Sequence, residues 1–261
     1  MSFDQMETEA EFTEDGILGG RLRVRQPLRG HRVGHDAIIL AAATGGRAGE
    51  QVVDLGSGVG AAGLALATRV PGLNVTLIEI DTGLCALAAQ NARLNDLDDT
   101  VSALALDVEN LDALKAAGLS GGTTDRVLMN PPFHDARRQN VSPDARRRLA
   151  HVGAPGLLGR WVKTAAWLLK ARGTITLIWR ADGLAEVLEA LRPSFTDVAV
   201  LPVLPRETAP AIRVVVRAIK AQGRQEPFGY PALALNDGHG RPTEAAEAVL
   251  RGGKALNIAE P

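Results

Sequence analysis

Residues 51–60 read Gln-Val-Val-Asp-Leu-Gly-Ser-Gly-Val-Gly. Gln51 to Leu55 is a short apolar β-former, and a glycine-rich turn leads from it into a helical pattern from about Gly60 to Arg69. Strand, glycine turn and helix open a βαβ unit, and the alternation continues downstream. Asn74 to Glu79 is a second strand, followed by a helix from Thr82 to Asn95 with Thr82 as its N-cap. Val101 to Leu106 is a third strand, with a helix near Glu109 to Ala117. Asp125 to Met129 is a fourth. After it come a helix from Pro155 to Leu169, a fifth strand (Thr174 to Trp179), a helix capped by Asp182 and ending at Leu191, a sixth strand (Thr196 to Val203) and a seventh (Ala211 to Ile219). The expected fold class is α/β: a Rossmann-like, mostly parallel sheet with helices on both faces.

Outside this run, Ile17 to Gln26 alternates around Gly19-Gly20 and reads as a β-hairpin. Ala37 to Ala43 reads as a helix, Tyr230 to Leu235 as a short strand and Thr243 to Arg251 as a closing helix. Three regions are expected: 1–49, an acidic tail with hairpin and helix; 50–220, the core; and 221–261, an extension packed on it. With 261 residues, 46% hydrophobic and 23% charged, the chain is long enough to bury a core without staples. Its one cysteine, Cys85, excludes a disulfide framework and reads as core. No apolar run approaches the roughly 18 residues of a membrane span. The acidic stretch Met1 to Asp15 carries no signal-peptide h-region, so a cytoplasmic protein is expected.

The formal net charge of −1 hides an asymmetry. Residues 1–15 carry six acids and no base, while residues 16–35 carry five arginines and no acid. Residues 36–136 have thirteen acids against five bases, and residues 137–180 have ten bases against Asp144 alone. The last block suggests a surface for a polyanion, with solvated helix faces as the alternative.

Glycines at 56, 58 and 60 let the backbone approach a ligand closely and take positive φ. Asp54 lies just before them, with Ser57 between. Glu79 ends the second strand 19 residues after Gly60, where a carboxylate can take both ribose hydroxyls. Asp81 is its alternative. Asp107 ends the third strand, placed to meet an adenine amino group. No Walker lysine follows the loop. An acid followed by G-x-G-x-G resembles class I S-adenosylmethionine-dependent methyltransferases, over roughly residues 50–220. The resemblance implies S-adenosyl-L-methionine as cofactor and a seven-stranded sheet whose last strand is antiparallel. It also implies that Gly34 and Asp36 cover the methionine end of the cofactor, which makes residues 1–49 its cover. His31 and His35 stand four apart, but Gly34 intervenes and no metal site is expected.

Asn130-Pro131-Pro132-Phe133 follows the fourth strand, at the edge where open sheets place their ligands. A planar amine is a poor nucleophile, because its lone pair is delocalised. The Asn130 side-chain oxygen and the Pro131 carbonyl can both accept hydrogen bonds from such an NH₂ and favour a more tetrahedral nitrogen. Two prolines fix φ and stiffen the acceptors, and Phe133 can stack on a base. The tetrapeptide resembles the N-P-P-[FY] signature of methyltransferases acting on adenine, guanine or glutamine amino groups. Asn130 is counted on the cofactor side as well. His134 stands beside the motif, and Arg137, Arg138, Arg146, Arg147 and Arg148 follow in a loop where a phosphate backbone would pass.

From about residue 12 to 258 the chain resembles the bacterial valine-tRNA adenine 6-amino methyltransferases. The residues that carry this are Leu18-Gly-Gly-Arg-Leu-Arg, Gly34-His-Asp-Ala, Arg148-Leu-Ala-His151, Pro210-Ala-Ile-Arg-Val and Asn236-Asp-Gly-His-Gly-Arg-Pro-Thr. The implied substrate is an adenine of a tRNA. RNA is the expected partner, with no membrane and no obligate protein partner. His134 after Phe133 is also found in ribosomal RNA guanine 2-amino methyltransferases, which keeps guanine open. A protein glutamine methyltransferase and an RNA-binding protein without turnover are the remaining alternatives.

Overall fold

Val52 and Val53 face opposite sides of their strand, and both are buried. Burial on both faces is what a central strand of a covered parallel sheet requires. The computed structural model describes residues 12–28, 32–132, 156–221 and 226–260. It opens with a hairpin, β1 (Phe12–Ile17) and β2 (Leu22–Pro27), and helix α1 (His35–Ala43). The alternating run follows: β3 (Gln51–Leu55), α2 (Ala61–Arg69), β4 (Asn74–Glu79), α3 (Thr82–Leu94), β5 (Val101–Ala105), α4 (Leu111–Ala116) and β6 (Thr124–Met129). Then come α5 (Leu157–Leu168), β7 (Leu169–Arg180), α6 (Leu184–Leu191), β8 (Phe195–Leu204) and β9 (Arg213–Lys220). The described chain closes with β10 (Phe228–Gly229), β11 (Leu233–Ala234) and α7 (Glu244–Leu250).

The strand order is β10-β8-β9-β7-β6-β3-β4-β5, with β11 also on β8. β9 runs antiparallel to both β7 and β8. The seven strands read from the sequence are thus present with the last antiparallel, and two short strands, β10 and β11, add to the β8 edge in parallel. Side-chain alternation divides the core between the faces. Val52, Leu128, Ile178 and Val215 pack with the hairpin, α1 and α2, while Val53, Val127, Leu177 and Val216 pack with α4, α5 and α6.

Three local expectations are corrected. Helix α3 is capped by Asp81, whose carboxylate accepts from the Gly83 and Leu84 amides at 2.9 and 3.1 Å, and not by Thr82. A carboxylate reaches two free first-turn amides better than a hydroxyl one residue further on. Asp182 sits inside a 3₁₀ turn (Ala181–Gly183) and makes no capping bond to α6. The segment Tyr230 to Leu235 narrows to β11, with Tyr230 N donating to Val200 O at 2.7 Å just ahead of it. Pro155 lies outside the described residues.

The hairpin docks through a device that periodicity does not reveal. Asn91 on α3 and Asn95 at its C-cap, one helical turn apart, act as a strand partner for the outer edge of β2. Asn91 Oδ1 accepts from Arg25 N at 2.8 Å and its Nδ2 donates to Arg25 O at 2.9 Å. Asn95 does the same for Arg23, at 2.8 and 2.7 Å. Asn91 Nδ2 also donates to Val59 O at 3.0 Å, tying hairpin, helix and glycine loop together.

Candidate active site

β3 lies between β4 and β6, and the chain winds outward from it in both directions. At such a switch point the loops leaving neighbouring strand ends diverge and open a crevice. The loops bearing Gly56 to Gly60, Glu79, Asp107 and Asn130 all leave this edge, so the order of strands brings those residues to one place.

Asp54 is 2% exposed, and its Oδ2 accepts from Gly63 N at 2.9 Å, tying β3 to the first turn of α2. Burial pushes its pKa up to about 7; the Glu79 charge adds to the rise and the Gly63 amide opposes it. In the loop, Gly56 N and Ser57 N both donate to Ile78 O at 2.9 Å. Gly56 has φ +70, and a Cβ there would stand 2.4 Å from the Trp161 ring. Gly56→Ala therefore lowers stability by about 2–4 kcal/mol, through left-handed strain and overpacking. A urea midpoint equal to wild type would mean that Trp161 gives way.

Glu79 holds the loop from the next strand. Its Oε2 accepts from Gly58 N at 2.8 Å and its Oε1 from Asp81 N at 2.9 Å. Each oxygen keeps a second lone pair, so a diol can still be taken. Asp81, which caps α3, is the less suited of the two. Ser57 Oγ is buried with no partner among the described residues, a polar atom awaiting one. Asp107 is exposed, with its Oδ1 accepting from Glu109 N at 2.8 Å. Helix α5 covers that loop: Thr164 Oγ1 donates to Val108 O at 3.0 Å, and Arg160 Nε donates to Glu109 at 2.6 Å. The sequence reading missed Ile80, which is 59% exposed immediately after Glu79. An apolar residue one step past a buried strand end is the signal that could have found it. Glycine loop, diol acceptor, exposed apolar side chain, carboxylate and orphan hydroxyl together suit an adenosine-bearing cofactor.

Asn130 follows β6, with Pro131 buried and Pro132 half-buried beside it. Its Oδ1 is buried and has no donor among the described residues. Leaving such an acceptor unmatched costs about 1–3 kcal/mol, which a donor on a ligand would recover. Phe133, His134, Arg137, Arg138, Arg146, Arg147 and Arg148 lie outside the described residues. Gly34 is the N-cap of α1 and offers no side-chain acceptor, and Asp36 in its first turn accepts from Arg213 Nε at 2.8 Å. A groove of about 800 Å³ opens beside them, floored by Leu18 and Ile38 with His35 and Arg251 among its lining residues. Cys85 is buried in α3, as expected.

Much of the charge asymmetry is settled within the fold. Glu14 pairs across the hairpin with Arg23 and Arg25 at 3.3 and 3.1 Å, and Asp15 with Arg32 at 2.8 Å. Within the basic block, Arg160 pairs with Glu109 and Lys170 with Asp125. Such partly exposed pairs contribute at most about 1 kcal/mol each.

The chain is 31% identical over 158 residues to the release factor glutamine methyltransferase of Chlorobaculum tepidum, covering 58% of this chain and 52% of that protein. It thus spans about half the length of that relative. It is 26% identical over 222 residues to the tRNA1(Val) (adenine(37)-N6)-methyltransferase of Shewanella amazonensis, covering 85% and 91% of the two chains. Among solved structures, a protein of Agrobacterium tumefaciens described as a predicted O-methyltransferase superposes with a TM-score of 0.71 and 27% identity, over 85% of this chain and 98% of that one. The model of one family, the methyltransferase small domain, matches residues 34–202, well over half of the chain, and the chain belongs to that family.

Proposed function

We propose that this chain is an S-adenosylmethionine-dependent methyltransferase acting on the exocyclic amino group of an RNA base, with adenine in a tRNA as the first substrate. The buried Asn130 oxygen beside Pro131 at the crevice, without a partner among the described residues, carries the reading. Glu79, Asp107 and Ile80 would hold the adenosine, Ser57 and the glycine loop would line the middle, and Gly34 and Asp36 would meet the amino-acid end. When bound, the cofactor supplies an electrophilic methyl group on a sulfonium. The chain's own work is positioning. Asn130 Oδ1 and the Pro131 carbonyl accept the two amine hydrogens and turn the nitrogen lone pair out of conjugation, while the two prolines keep these acceptors fixed. Phe133 stacks on the base.

In this reading residues 50–220 form the catalytic core, 1–49 cover the cofactor and 221–261 brace the sheet edge. The place of action is the cytoplasm, where tRNA is found; no helix among the described residues is long and apolar enough to cross a membrane. The two sequence relatives are named for a release-factor glutamine and a tRNA adenine, both planar nitrogens, which supports the amine. The Agrobacterium tumefaciens protein is described as a predicted O-methyltransferase, and an oxygen acceptor is the reading that the identity of the product separates from this one. Transfer of label from S-adenosylmethionine to separated pools of small RNA, ribosomal RNA and protein tests the substrate class. Label in small RNA is expected; label in protein alone would overturn the RNA reading. Neutralising Arg146, Arg147 and Arg148 together should weaken RNA binding and reduce its salt dependence by up to about three contacts' worth of slope, near 0.7–0.9 each. An unchanged slope would mean that these arginines do not touch phosphate.

A further inference from the structure

The start of α1 and the residue leading into it are held by two polar ties, one from each side. On the hairpin side, Val33 N donates to Gln26 Oε1 at 2.7 Å, and Gln26 Nε2 in turn donates to Asp15 at 2.7 Å. On the sheet side, Arg213 Nε donates to Asp36 Oδ2 at 2.8 Å, joining residues 177 apart in sequence. Both side chains of this second pair are about three-quarters buried, at 27% and 29% exposure, so solvent screens it less than the hairpin's outer pairs. The rest of α1, from Ile38 to Ala43, is buried.

Arg213 occupies a costly place. It is the first residue of β9, and its register partner on β7 is Arg180, so two cations stand directly opposite each other at the crevice edge of the sheet. Like charges in that position are destabilising. Asp182 and Glu186 answer Arg180, each at 3.6 Å, and Asp36 answers Arg213, whose Nη1 also donates to Ile212 O at 3.1 Å. The planar fork sets the direction of the Asp36 carboxylate in a way that a lysine's point charge would not. With no side-chain cap on α1, the first-turn amides, the His35 imidazole and the Asp36 carboxylate are the polar groups that this helix presents at its start.

We infer that Arg213 is a positioning residue for the amino-acid end of the cofactor: through Asp36 it holds the start of α1 in the orientation that recognises an ammonium–carboxylate pair. The inference rests on the reading of the site given above and extends it to a residue that need not touch the ligand. It also assigns a role to the Pro210-Ala-Ile-Arg-Val segment.

The test uses two ligands that share the adenosine thioether but differ at that end. S-adenosylhomocysteine carries the amino acid, and 5′-methylthioadenosine lacks it. Their affinities are measured by calorimetry for the full chain, Arg213→Gln and Arg213→Lys, with the melting temperature of each protein taken alongside. The expected result is a loss of about tenfold or more for S-adenosylhomocysteine in Arg213→Gln. Methylthioadenosine should stay within about twofold and the lysine variant should fall between. Asp36→Asn should lose at least as much as Arg213→Gln for S-adenosylhomocysteine and again little for methylthioadenosine, because it removes the group at the ligand together with the tie; a smaller loss than Arg213→Gln would contradict the inference. Equal loss for both ligands would show a general loosening of the fold and overturn the inference, as would unchanged affinity for both. Failure of the unmodified chain to bind either ligand would overturn the cofactor reading itself, and this inference with it.

Discussion

Asn130→Ala should lower methyl transfer by about 10²–10³-fold or more while leaving the affinity for S-adenosylhomocysteine within a few-fold. The Asn130 oxygen has no donor among the described residues, so its removal breaks no bond seen in the fold. The change therefore acts at the reacting amine. A planar amine without its two acceptors keeps its lone pair in the ring, and the nucleophile is lost before the methyl is displaced. Single-turnover rates with bound RNA, set beside a calorimetric isotherm for the cofactor product, check both halves. Equal losses in rate and cofactor affinity would remove Asn130 from the amine and place it on the cofactor.

Asp54 should behave in the opposite way. Asp54→Ala frees the Gly63 amide and unties β3 from α2 beneath the glycine loop, and cofactor binding should fall below detection. Its pH dependence has a definite sign. The folded chain holds the Asp54 proton up to about pH 7, whereas an ordinary carboxyl releases it near 3.8. The stability this group allows is complete below about pH 3.8 and is lost as pH rises through about 7, by an amount on the order of 4 kcal/mol at most. Asp54→Asn keeps an acceptor for Gly63 and never ionises. It should melt above the unmodified chain at pH 8, and the difference should shrink toward pH 5. A cationic cofactor nearby favours the carboxylate, so binding below pH 7 should release a proton and tighten as pH rises. Calorimetry in two buffers of different ionisation enthalpy measures that proton. Binding that releases none at pH 6 would contradict the buried, protonated state.

The order of elements was legible because each rests on local pattern. Gln51 to Leu55, Asn74 to Glu79 and the helix from Ala61 carry their own apolar periods, and they appear within a residue of where those periods place them. The glycine loop, Glu79 and Asn130 were legible for a related reason. In a doubly wound sheet the residues that end successive strands must meet at one edge, whatever the packing behind them. What escaped is what one element does to another. Asn91 and Asn95 read as ordinary helix residues until β2 lies alongside them. Arg213 reads as a polar position in a strand until α1 brings Asp36 to it. The cap of α3 turned on which of two adjacent polar residues reaches the free amides, a matter of geometry that composition does not carry. The five arginines of residues 16–35 read as a run with no acid among them, and the acids of β1 answer three of the five, Arg23, Arg25 and Arg32.

The most direct test of the amine reading is the identity of the product. RNA methylated by the unmodified chain, digested to nucleosides and resolved by mass spectrometry, should carry the new methyl on an exocyclic nitrogen, as 6-methyladenosine. Appearance of 2-methylguanosine would keep the mechanism and change the base. A methyl on a ribose oxygen or a ring atom would contradict the account, because the acceptors of Asn130 and Pro131 would then have no NH₂ to hold.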